Sequence, residues 1–164
     1  MHFPTRFVIL AVTLLATACG TSLTLPDSAD AGRVVGILEW TQAPTGGGLG
    51  EPPPSPGVTA PDTVRAGEPF RATVTTVGPS ICWTAAGASL ALEPAVAVVT
   101  PYDHTPEDER TGCGDAVVAL PRSVELRFTR AGEAILRVHG RKVVGREMRS
   151  AEHPMVLEKR IVVR

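Results

Sequence analysis

The stretch Val124–His139, VELRFTRAGEAILRVH, decides the fold class. Val124, Leu126 and Phe128 alternate with Glu125, Arg127 and Thr129. After the turn residues Arg130-Ala131-Gly132, Ala134, Leu136 and Val138 alternate with Arg137 and His139. An apolar residue at every second position puts one face of each segment into a core and the other into water, which is the signature of strands. Two such strands joined by a few residues containing Gly make a β-hairpin or a corner between sheets.

Outward from this pair the same reading holds. In Phe70–Val77, the residues Phe70, Ala72 and Val74 are apolar and Arg71, Thr73 and Thr75 polar. Pro94–Thr100 (PAVAVVT) and Ala116–Leu120 (AVVAL) read as shorter apolar strands, and Met155–Arg164 as the last, with Leu157, Ile161 and Val163 on one face. Arg33–Trp40 (RVVGILEW) is a β-rich run whose place in the sheet is left open. A Gly/Pro-rich loop at 41–57 (TGGGLG, then EPPPSPG) separates it from the rest, because Gly and Pro at that density build neither strand nor helix. Pro and Gly also interrupt every window long enough for a helix. Seven or eight short strands about ten residues apart indicate a single all-β domain over 33–164, a sandwich or barrel.

Two segments sharpen this. Ala60–Val74, APDTVRAGEPFRATV, resembles the opening of bacterial immunoglobulin-like domains, where a Pro-led first strand turns at an A-G-E-P step into the second. Arg130–Arg141, RAGEAILRVHGR, is similar to their late strands. The resemblance implies an immunoglobulin-like antiparallel β-sandwich and carries no functional motif.

The N-terminus reads as an address. Arg6 precedes a twelve-residue apolar run, Phe7–Ala18, and small residues lead to Cys19. A positive start, a short apolar run and a small-residue cleavage site define a secretory signal over 1–18. As a helix the run would span roughly 18 Å, short of the ~30 Å hydrocarbon core. Leu15-Ala16-Thr17-Ala18-Cys19 resembles the lipobox of bacterial lipoproteins, with Ala16 standing where leucine is usual. That resemblance implies cleavage before Cys19 and lipidation of its thiol, so that the membrane is a partner through the N-terminal lipid. Gly20 is not the aspartate that retains the resembling enteric lipoproteins at the inner membrane. The expected location is the cell envelope, at the outer membrane where the organism has one. Residues 19–32 are small and polar, the composition of a flexible tether.

With Cys19 assigned to the lipid, Cys82 and Cys113 form an even pair in a chain bound for an oxidising compartment. A disulfide is expected. No catalytic constellation is legible: the serines lie in no G-x-S-x-G elbow, and His104, His139 and His153 form no metal-binding pair. The chain is therefore read as no enzyme, with no cofactor and no metal. The acidic stretch from Tyr102 to Asp115 is read as a solvated, disulfide-tied loop. Were an ion held there, Asp103, His104, Glu107 and Asp108 would supply the ligands.

The mature part carries 15 basic and 17 acidic side chains, which gives no argument for nucleic acid. Charge is uneven, however: net −8 from Cys19 to Pro121 and +6 from Arg122 to Arg164. Interleaving of the two halves across strands accounts for this without a polyanionic partner. Two functions fit. One is a non-enzymatic binding or structural module at the envelope, contacting an envelope protein. The alternative is a small-ligand-binding or carrier lipoprotein with a pocket between the sheets. Few aromatic residues favour the first.

Overall fold

A computed structural model describes residues 32–41, 56–105, 112–114, 116–145 and 151–164. Cys19, Glu107, Asp108 and most of both the tether and the Gly/Pro-rich loop lie outside them. Among the described residues there are ten strands and no helix. They are β1 (Arg33–Val35), β2 (Ile37–Thr41), β3 (Gly57–Thr59), β4 (Thr63–Val64), β5 (Phe70–Gly78), β6 (Thr84–Leu92), β7 (Val96–His104), β8 (Val118–Leu126), β9 (Gly132–Val144) and β10 (Ala151–Val163).

The strands form one branched, unclosed sheet. Its main path runs β1-β7-β9-β2-β5-β3, with β10 on β9, β6 on β7, β8 on β5 and β4 on β10. Alternation drives the core. Ala72 and Val74 of β5, Leu126 of β8, Ala97 and Val99 of β7, Leu136 and Val138 of β9, and Ile161 and Val163 of β10 are all buried in a single cluster with Phe128. The sheet thus folds over on itself, bringing β5 and β8 against strands with which they share few or no hydrogen bonds. Phe70 and Phe128 meet within the core at 5.8 Å between ring centroids.

The expected antiparallel arrangement needs correction, because the sheet is mixed. β9 pairs in parallel with β7 and with β2, and β10 pairs in parallel with β4. The N-terminal run supplies one of these three parallel pairings, β2 on β9. β7 and β9 pair only through Val96–Val99 and Ile135–Val138. Beyond that, β1 takes the edge of β7, antiparallel, and β2 takes the edge of β9, parallel. β2 therefore lies inside the sheet, between β9 and β5, while among the described residues β1 pairs with β7 alone.

This crossing depends on two glycines. A Cβ on Gly36 would lie 2.4 Å from Thr76 Cγ2, and one on Gly140 would lie 2.4 Å from Leu38 Cδ1. The Gly36 amide donates to the Pro101 carbonyl, and the Gly36 carbonyl accepts from the Arg141 amide, both at 2.9 Å. The segment is stitched to both strands at the point of closest approach.

Three boundaries also move, and one strand is added. The runs at 116–120 and 124–128 are one strand, β8, passing through Pro121 and Arg122. The last strand begins at Ala151, so His153 stands in β10 rather than in a loop. β7 extends to His104. β6, TAAGASLAL, has no counterpart in the sequence reading. Its Ala, Gly and Ser have little strand preference of their own, and pairing with β7 makes it a strand.

Cys82 and Cys113 are bonded, with their Cα atoms 5.6 Å apart. The bridge joins the β5–β6 turn to the segment leading into β8. The two oppositely charged halves also interleave. Arg137 pairs with Glu158 and Arg141 with Glu152 between β9 and β10. Lys142 bonds Glu39 and Lys159 bonds Asp62, linking the basic half to the acidic one. Those hydrogen bonds hold both carboxyls below the usual carboxylate range.

Candidate functional site

Two places combine chemistry with concavity or burial. The first is a cleft of about 180 Å³ lined by Val34, Ile37, Trp40, Trp83, Thr105, Arg141, Val143 and Glu152. The chain has two tryptophans, and both are here. Trp83 is buried, and Trp40 is half-buried and anchored by its indole N–H, which donates to the Gly145 carbonyl at 2.8 Å. Ile37, Val77 and Val143 form a small core cluster behind it. Among the described residues, the Arg141–Glu152 ion pair supplies the charged groups of the lining.

The cleft sits where the chain enters the domain. Thr105, one of its walls, receives the chain at Gly32: its amide donates to the Gly32 carbonyl at 2.9 Å, and its hydroxyl does so at 3.2 Å. Beside it, the guanidinium of Arg33 stacks 3.9 Å from the centre of the Tyr102 ring. A broader open groove of about 570 Å³, lined by Pro61, Thr63, Val64, Arg65, Glu68, Pro69, Phe70 and Arg164, is bordered by an exposed ion pair, Arg65–Glu68. It offers little apolar enclosure.

The second place is a buried polar cluster. Thr76 of β5, Asp103 of β7 and Arg122 of β8 all point into the interior. Arg122 bonds Asp103 Oδ1 directly, donates to Thr76 Oγ1 at 2.6 Å, and donates to the carbonyls of Tyr102 at 2.5 Å and Leu120 at 3.0 Å. The Thr76 hydroxyl donates to Asp103 Oδ1 at 2.9 Å. Burial pushes the Asp103 carboxyl above the usual carboxylate range, with Arg122 opposing the shift. The cluster ties three strands together; Asp103 Oδ2 and Arg122 Nε lie buried in it without a hydrogen-bond partner, and Asp103 is wholly removed from solvent.

Asp103 is therefore no part of a solvated acidic loop. It occupies a strand position with alternate residues Ala97, Val99 and Pro101 buried on the same face. His104 is its neighbour, facing the other way and half-buried. Alternation alone would separate the two as ligands for one ion. Among the described residues, no three His, Cys, Asp or Glu side chains converge. Arg122, which the sequence reading passed over, shares the parity of Leu120, Val124 and Leu126. That parity was the signal for its burial.

Compared with protein-family models, curated proteins and solved structures, the chain matches none of them.

Proposed function

We propose that the protein is a lipoprotein of the cell envelope: an immunoglobulin-like β-sandwich, anchored through acyl chains on Cys19, that binds another envelope protein and catalyses nothing. The observation that carries the binding half is the tryptophan cleft. Rigid aromatic surface with an adjacent arginine is what energetic hot spots of interfaces are made of. At about 180 Å³ the cleft is smaller than the roughly 300–1,000 Å³ of small-molecule pockets. It suits one apolar side chain presented by a partner better than a free ligand, which favours the binding module over a carrier.

The anchor half rests on the sequence around Cys19 and on where the chain enters the domain. Residues 19–32 can reach at most about 50 Å, and Gly32 abuts a wall of the cleft. An anchored molecule would hold its cleft within that distance of the bilayer, so the partner is a protein of the same membrane. Gly20, in place of a retention aspartate, makes this the outer membrane where there is one.

Both halves are tested in cells. Cys19→Ser should give an unprocessed or soluble protein, and the wild-type N-terminal peptide should carry acyl mass. At roughly 0.8 kcal/mol per buried CH₂, two or more chains make release negligible. An unacylated mature N-terminus refutes the anchor. For the cleft, mild cross-linking should capture a membrane-protein neighbour that Trp40→Ala loses. Equal capture by both proteins refutes the cleft as the contact.

A further inference from the structure

Sheet edges are where a β protein either defends itself or recruits a strand. The edges here differ in one respect. The free side of β10 carries Glu152, Pro154, Glu158, Lys159 and Arg160, and β8 carries Pro121, Arg122 and Glu125. β3 is only three residues long. Charge, proline and shortness are the usual devices against edge-to-edge pairing. β6 is nine residues without a charge or a proline, and among the described residues it pairs with β7 alone. Its one irregularity, a bulge between Ala85 and Ala88, leaves Ala88–Leu92 regular.

The register fixes which backbone groups face outward. Glu93 and Val96 exchange both of their hydrogen bonds, at 2.8 and 3.4 Å, closing the β6–β7 hairpin. Antiparallel pairs alternate between bonded and non-bonded. Counting back through the register, Ala91–Val98 and Ser89–Thr100 are bonded pairs, whereas Leu92–Ala97, Leu90–Val99 and Ala88–Pro101 are not. The last assignment agrees with Pro101, which has no amide hydrogen to give β6. The N–H and C=O groups of Ala88, Leu90 and Leu92 therefore point away from β7. The side chains of the same three residues share the core-side face, where Ala88 packs against the main core. Leu90 and Leu92 run past its edge, 41% and 52% exposed.

We infer that β6 is a dimerisation edge that pairs antiparallel with β6 of a second copy about a two-fold axis through Leu90. The occupant follows from self-complementarity. An axis at Leu90 sets Leu90 against its own copy and Ala88 against Leu92, so each outward-facing amide and carbonyl meets its match, two bonds per facing pair. The exposed leucines of both copies then form one apolar stripe that continues each core. Because the strand carries no charge, the symmetric approach brings no like charges together, and a charged partner finds nothing on it to hold.

Sedimentation of the full-length protein in detergent tests this. Wild type should be a dimer at micromolar concentration. Leu90→Lys sets two ammonium groups directly opposite and removes the central leucines, so the dimer dissociation constant should rise at least about tenfold, with an unchanged far-UV circular dichroism spectrum because Leu90 is exposed. Ala91→Lys lies on the other face and off the axis, and should remain dimeric. A monomeric wild type overturns the proposal. So does a dimer that Leu90→Lys leaves intact, and equal dispersal by both variants overturns the Leu90-centred register.

Discussion

Arg122 shows what a single buried charge demands. Its guanidinium is almost wholly removed from water, and it is tolerable there because Asp103, Thr76 and backbone carbonyls take up the donors of its two terminal nitrogens, Nε alone being left without a partner. Removing one partner of such a pair leaves the other charge buried and uncompensated. Arg122→Ala should therefore cost about 3–5 kcal/mol in urea denaturation, far beyond the about 0.5 kcal/mol typical of surface positions. The pH dependence has a definite sign. Burial raises the folded-state affinity of Asp103 for a proton above that of the unfolded chain, whose ordinary value is 3.8. The folded state thus holds more protons than the unfolded one between the ordinary and raised values. The contribution of Asp103 is greatest below the ordinary value and falls as pH rises through the window. The stability difference between wild type and Asp103→Asn should shrink over that range and level off above it. A difference that grows with pH would show that Arg122 outweighs burial.

At the scale of elements, the crossing of Arg33–Thr41 between β7 and β9 rests on close backbone contact. Gly140→Ala would drive a methyl into Leu38. Overpacking of this kind should cost about 1–3 kcal/mol, whereas Gly57→Ala, which meets nothing within 4 Å, should be nearly silent. Thermal or chemical melting of the two variants side by side checks this. The disulfide acts at the same scale. It closes a sequence separation of 31 residues, and the chain-entropy model assigns such a loop about 3–4 kcal/mol. Replacing both cysteines by serine should lower the melting temperature accordingly. Because the bridge lies beside Trp83 of the cleft, tryptophan fluorescence should change along with stability.

For the molecule as a whole, the separation of charge along the chain disappears in three dimensions. Lys142 meets Glu39, Lys159 meets Asp62, and Arg137, Arg141 and Arg160 each meet a glutamate on the neighbouring strand. Among the described residues, acidic partners thus interrupt the cationic side chains of the basic C-terminal segment. The Cys19→Ser protein, unable to take the proposed lipid, should not cosediment with anionic vesicles at physiological salt. Binding that weakened as salt was raised would instead assign the membrane contact to the sheet surface.

What the sequence determined by itself was local and periodic. Alternation in 70–77 and 124–138 committed the chain to strands with one buried face, and the cysteine pair was legible from its even number and the expected compartment. The same alternation carried the burial of Thr76, Asp103 and Arg122, since each continues the parity of its apolar neighbours. It went unread because polar residues mask a period that is usually traced through apolar ones. Tertiary structure alone decided the rest. Whether Arg33–Thr41 paired at an edge or inside the sheet, and in which direction, depends on contacts with residues forty or more positions away. The same holds for β6, whose Ala, Gly and Ser have little strand preference until β7 supplies a partner. The meeting of Trp40 and Trp83 in one cleft is the clearest case. Forty-three positions separate them, and only the folding of the sheet over its own core brings them together.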